Sequence, residues 1–254
     1  MRIVGIVQGR MASSRLPGKI LKKINGQPML AQVVERARQA KLLNVVGVAT
    51  TTDPSDDPVE AFCRKRGYPV YRGSLLDVLD RFYQAARMLR AEVVVRFTAD
   101  CPLLDPALID ETVQVFLDSG ADFAANRLPP PFKRTYPIGL DTEVCSFAAL
   151  ERAWKEATAK HDREHVLPYL YEVKGRFKVV VLNYARDFGH YRWTVDTPED
   201  LKLVRRIFRR MAGQPGFTWL DVAALFEREP QLAQLNAGVQ HKTMFDVDDR
   251  FKKG

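Results

Sequence analysis

"RIVGIVQGRMASSRLPGK", residues 2–19, carries the strongest architectural signal in the chain. Residues 2–8 read as a buried strand, and the loop behind them carries Arg10, Arg15 and Lys19 without a carboxylate to balance them. A strand apolar along its whole length is covered on both faces, which is the mark of a parallel sheet between two layers of helices. Ligands of such sheets sit beyond the strand C-terminal ends, where this loop falls. Three cations there repel one another unless an anion lies among them. Small residues (Gly9, Ala12, Ser13, Ser14 and Gly18) let the backbone close on that anion as a nest of N–H groups. The loop is not a P-loop, because Ile20 follows Gly18-Lys19. Nor is it a dinucleotide fingerprint, because no G-x-G-x-x-G follows the strand.

Strands and helices alternate outward from this point. Helices are expected over 28–41, 56–67, 75–90 and 105–120, the last capped by Asp105 with Pro106 at its first position. Strands are expected over 44–51, 68–73 and 92–98, so the loops after residues 8, 51, 72 and 98 should converge. Beyond Gly120 the pattern changes. Residues 121–127, 140–147, 177–184 and 190–195 read as strands and 162–172 as a helix, while "LPPPFKRTYPIG" (128–139) is irregular. Thr197 caps a helix over 197–211. The expected architecture is α/β, a mostly parallel, doubly wound, Rossmann-like sheet. Residues 1–212 form one domain, with an edge insertion at about 127–192 for a second substrate or a partner subunit. Residues 213–254 give a helix (218–229) and a tail without periodicity, poorly packed or clasped onto another subunit.

Composition narrows the function. The chain has 254 residues, net charge +8, and no apolar run long enough to span a bilayer. Its first apolar stretch is too short for a signal peptide, and Cys63, Cys101 and Cys145 have no metal-ligand spacing, so a reduced, cytoplasmic protein is expected. The basic surplus is spread over amphipathic helix faces such as "LKLVRRIFRR", which argues against a nucleic-acid partner.

Two aspartates complete the candidate site. Asp100 in "RFTADCPLLDP" and Asp196 in "WTVDTPEDL" each follow a strand-like run, where their carboxylates would face the loop. Read singly, each is as well explained as a helix cap. Together with the loop they suggest a site for magnesium and a polyphosphate, since Mg2+ takes few carboxylates and keeps phosphate and water ligands. Arg72, after the third strand, is placed in the same pocket. Hydroxyl-rich ligands call for donors and acceptors such as Arg134, Tyr136, Asp141, Glu143, Glu164 and His165, and Arg127, Lys133 or Arg134 could take a carboxylate.

"GRMASSRLPGK", "RGSLLDVLDRF", "RFTADCPLLDP", "TYPIGLDTEV" and "RWTVDTPEDL" together resemble the CMP-sugar cytidylyltransferases, in order over residues 2–212. The nearest branch is the spore-coat-polysaccharide type, related to the acylneuraminate and 3-deoxy-manno-octulosonate enzymes. The resemblance implies the nucleotide-diphospho-sugar transferase fold and CMP transfer from CTP to a sugar or sugar acid, with pyrophosphate released. It implies that Arg10, Arg15 and Lys19 bind the triphosphate, that Asp100 and Asp196 hold Mg2+, and that Gln8, Gly9, Ser14 and Thr98 lie along the nucleotide. The sialate and octulosonate enzymes usually carry Pro-Ala-Arg where this chain has Gln8-Gly9-Arg10, and Gln where it has Thr98. A homodimer serving cell-surface or spore-coat polysaccharide synthesis is expected. The alternatives are a GT-A-like glycosyltransferase, which would need an Asp-x-Asp where Asp100-Cys101-Pro102 stands, and a basic nucleic-acid-binding protein.

Overall fold

A computed structural model describes residues 1–129 and 132–240; the proline pair at 130–131 and the last part of the aperiodic tail, 241–254, lie outside the described residues. Four strands, β1 (Ile3–Gln8), β4 (Val45–Thr51), β5 (Val70–Gly73) and β6 (Val93–Thr98), run parallel in the spatial order β5-β4-β1-β6. A small hairpin, β2 (Lys23–Ile24) and β3 (Gln27–Pro28), follows the cationic loop. It turns at Asn25-Gly26, both at positive φ (48° and 79°), as two-residue hairpins require. Beyond β6 the sheet continues through β8 (Glu143–Ser146), β7 (Phe123–Ala125) and β9 (Val179–Val181). β8 is antiparallel to both neighbours, and β9 is parallel to β7.

Side-chain alternation explains the layers. Ile3 and Val7 of β1 with Val93, Val95 and Phe97 of β6 enter one core; Val4, Ile6 and Val94 enter the other. The first core is closed by α1 (Met29–Ala37), α2 (Asp57–Arg66), α4 (Pro106–Ser119), α8 (Pro198–Arg210) and α9 (Trp219–Arg228). The second is closed by α3 (Val78–Met88), α5 (Phe147–Glu156) and the short α7 (Pro168–Tyr171), which follows α6 (Lys160–His165). Burying each large aliphatic or aromatic side chain in these layers contributes roughly 1.5–3 kcal/mol.

Three expectations need correction. The stretch 190–195 is extended but joins the sheet through no strand, making only a bridge between Ile138 and Arg192. The flanking donors go elsewhere, Leu140 N to Pro137 O (3.4 Å), Val195 N to Asp100 O (2.8 Å) and Tyr191 N to Phe188 O (3.0 Å), so the pairing stops at one bridge. The expected helix over 162–172 is two helices, broken where Val166 sits at φ 77° and Leu167 N donates to His165 O at 3.0 Å; Pro168 then starts α7 afresh. Residues 230–236 are not loose either: they form a 3-10 turn packed on α8 and α9, with Leu232 and Asn236 buried.

Candidate active site

The ends of β1 and β6 open into a cleft of about 780 Å³. The cationic loop forms one wall and is held by its own backbone. Gly9 N donates to Ala49 O (3.2 Å), Met11 N to Asp56 Oδ1 (2.7 Å) and Gly18 N to Met11 O (2.9 Å). A Cβ at Gly9 would lie 2.6 Å from the Ala99 methyl, so only glycine lets the loop leave β1 this close to β6. Arg10 reaches Leu75 O at 3.3 Å. The loops after β4 and β5 therefore brace the cationic loop and do not themselves line the cleft.

The missing counter-charge comes from far along the chain. Lys19 is buried, and its Nζ donates to Asp100 Oδ2 at 2.6 Å, Asp196 Oδ1 at 2.9 Å and Val195 O at 2.9 Å. Arg15 and Arg192 meet the other oxygen of Asp196 at 3.1 and 2.6 Å. Burial alone would raise the Asp196 carboxyl; Lys19 first, then Arg15 and Arg192, hold it well below the usual carboxylate range. Burial likewise pulls the Lys19 ammonium down, but Asp100 and Asp196 outweigh it and the net shift is upward. Neither aspartate caps a helix. That work falls to Asp105 for α4 and to the Thr197–Asp200 capping box for α8. Two carboxylates and one carbonyl thus converge on a single cation position, held here by the ammonium, and hard oxygen donors of this kind are also those a divalent cation takes.

A pH dependence follows. Because its folded value is depressed, Asp196 contributes stability above its unfolded value of about 4, and that contribution is lost as pH falls through the folded one. Thermal melts below pH 5 should therefore fall more steeply for the wild type than for Asp196→Asn; parallel acid limbs would contradict the pairing.

Of the residues singled out from sequence, Gln8, Gly9, Arg10, Ser14, Arg15, Lys19, Thr98, Asp100, Asp141, Glu143, Glu164, His165 and Asp196 all line the cleft. Asp141 and Glu143 do so as partners of Arg127 and Arg96, so Arg127 is engaged by a carboxylate of its own chain. Arg72, Lys133, Arg134 and Tyr136 lie outside the cleft lining. Arg72 turns to the α2 side, donating to Thr51 O at 2.7 Å and pairing with Asp57 and Glu60 at 2.7 Å each, which ties the sheet edge to α2. Tyr136 is buried among Tyr184 and Trp219, with ring centroids 5.9 and 5.5 Å away. Arg134 Nε donates to Gly189 O at 3.1 Å, outside the cleft lining. Sequence reasoning passed over Arg96 and Arg192. Arg96 was visible as the one charge inside an apolar strand, "VVVRFT", where it donates to Gln8 Oε1 at 3.0 Å. Arg192 gave no such signal.

The sheet order and the cleft at its parallel ends define the class first: this is the nucleotide-diphospho-sugar transferase fold of nucleotidyltransferases. The particular family follows, because the model of the cytidylyltransferase family matches residues 4–243, and the chain belongs to that family. It is 31% identical to the spore coat polysaccharide biosynthesis protein SpsF of Bacillus subtilis, over 91% of this chain and 96% of that one. It is 38% identical to a 3-deoxy-manno-octulosonate cytidylyltransferase of Anaeromyxobacter dehalogenans, over 80% of this chain and 96% of that one. A solved cytidylyltransferase from Leptospira borgpetersenii is 32% identical and superposes with a TM-score of 0.87, covering 95% of this chain and all of that one. No helix among the described residues is long and apolar enough to cross a membrane.

Proposed function

We propose that the protein transfers CMP from CTP to a hydroxyl of a sugar or sugar acid, in the service of polysaccharide synthesis, as a cytoplasmic homodimer. One observation carries the reading: Arg15 and Lys19 of the first loop meet Asp100 and Asp196 of two distant segments inside one cleft. In the reaction the acceptor oxygen attacks the α-phosphorus and the bond to the bridging oxygen breaks. The electron pair leaves with pyrophosphate and the hydroxyl proton passes to solvent. Such transfers need alignment and charge neutralisation above all. Arg10, Arg15 and Lys19 would hold the departing phosphates, Arg and Lys supplying forked and point charges respectively. Asp100 and Asp196 would hold a magnesium ion, which when bound neutralises phosphate charge. Gln8, Ser14 and Thr98 would lie along the nucleoside, and the wall bearing Asp141, Glu143, Glu164 and His165 would take the acceptor. The names of the SpsF and octulosonate relatives support the polysaccharide and sugar-acid parts of this reading.

Calorimetric titration of CTP, ATP, GTP and UTP with Mg2+ tests the base: CTP should bind most tightly, and equal affinities would remove the cytidylyl assignment. Arg15→Ala tests the loop. Charge-assisted hydrogen bonds contribute roughly 1.5–3 kcal/mol, so CTP affinity should fall about tenfold to a hundredfold while CMP affinity barely changes. Equal losses for the two would place Arg15 away from the outer phosphates.

A further inference from the structure

We infer that Asn236, in the turn after α9, is a positioning residue for Asp196, acting through Asp200 and Arg192. The inference rests on the assignment of Asp196 to the nucleotide and metal site. Asn236 does not line the cleft. Its Nδ2 donates to Asp200 Oδ1 at 2.8 Å and to the Arg192 carbonyl at 3.0 Å. Asp200 is fully buried, and its Oδ2 accepts from the backbone N of Asp196 at 2.9 Å and of Thr197 at 3.1 Å. Arg192 spans the two carboxylates: Nε meets Asp200 Oδ1 at 3.1 Å, and Nη2 meets Asp200 Oδ2 at 3.1 Å and Asp196 Oδ2 at 2.6 Å.

One buried guanidinium therefore serves two carboxylates, Asp196 half-buried at the cleft and Asp200 fully buried, and the Asn236 amide supplies a further donor to the second. Remove that amide and Asp200 Oδ1 must draw more on Arg192, the group that also fixes Asp196 from behind. A buried carboxylate short of donors is costly, and the low local dielectric makes each member of such a network dependent on the rest. Groups that orient ligand side chains in this way typically shift metal affinity tenfold to a hundredfold when mutated. The turn itself is anchored independently, through buried Leu232.

Asn236→Leu keeps the size and removes the donor. Leu232→Ala loosens the same turn without touching the network, and serves as the stability control. Mn2+ affinity in the presence of CTP, read by electron paramagnetic resonance, should fall about tenfold in Asn236→Leu and stay near wild type in Leu232→Ala, with CMP affinity unchanged in both. A crystal structure of Asn236→Leu should show the Arg192–Asp196 pair displaced. Unchanged Mn2+ affinity, equal loss in both variants, or a pair still at 2.6 Å would overturn the inference. A wild-type protein that binds no Mn2+ with CTP would instead strike the nucleotide reading, leaving the crystal structure to decide the positioning.

Discussion

Asp100→Asn and Asp196→Asn are each expected to stay folded and to lose turnover by a hundredfold or more at limiting Mg2+. A bound metal contributes several kcal/mol of charge stabilisation in phosphate chemistry, and each 1.4 kcal/mol is tenfold in rate. Asn keeps the shape and removes the hard anionic ligand. A second effect separates this from general damage. Lys19 now donates to both aspartates, so neutralising either one loosens its hold on the ammonium. Metal-free CTP should then bind as well as it does to the wild type, or better. Helix capping offers a contrary expectation, in which Asn substitutes freely because it caps as well as Asp. The caps of α4 and α8 are other residues, Asp105 and Thr197. Folded variants with near-normal rates at limiting Mg2+ would remove the metal role from these aspartates.

Lys19→Met should show the opposite balance. Breaking a buried ion pair by deleting one partner costs about 3–5 kcal/mol, because the remaining charges stay buried and unpaired. Here the ammonium bridges two carboxylates with 11% of its side chain exposed. Arg15 and Arg192 remain against Asp196 and soften the loss there, whereas Asp100 loses the cation it faces. The melting temperature should fall accordingly, and Mg2+ or Mn2+ alone should restore part of it in the variant while moving the wild type little. Triphosphate affinity should fall as well. If divalent ions shift both proteins equally, the ammonium and the metal do not share a position.

How much of this was legible in residues 1–254 depends on the range of the interaction. Short-range signals read well. Gly67 and Gly120 end helices at positive φ, Asp105 and Thr197 begin them, and the apolar runs became the parallel strands. The loop was legible through charge alone: three cations needed an anion. What the sequence could not show was that the anion in the free protein is the aspartate pair itself, because Lys19 and Asp196 are brought together only by the completed sheet. Arg72 failed for the converse reason. It lies within β5 rather than in the loop behind it, and Asp57 and Glu60 of a neighbouring helix claim its guanidinium. Tyr136 reads as a hydroxyl-bearing ligand residue and is instead core, since an aromatic ring buries readily against Tyr184 and Trp219. The Asn236–Asp200–Arg192 chain left no periodic or compositional trace at all.

The most direct measurement is 31P NMR of the protein with CTP, Mg2+ and a panel of sugar acids and amino sugars. Cytidylyl transfer predicts that the CTP resonances give way to one new phosphodiester signal and one of pyrophosphate, in equal amounts, with at least one acceptor. ATP, GTP and UTP should turn over far more slowly. CTP left intact across the panel, or hydrolysed to phosphate without a sugar adduct, would contradict the account.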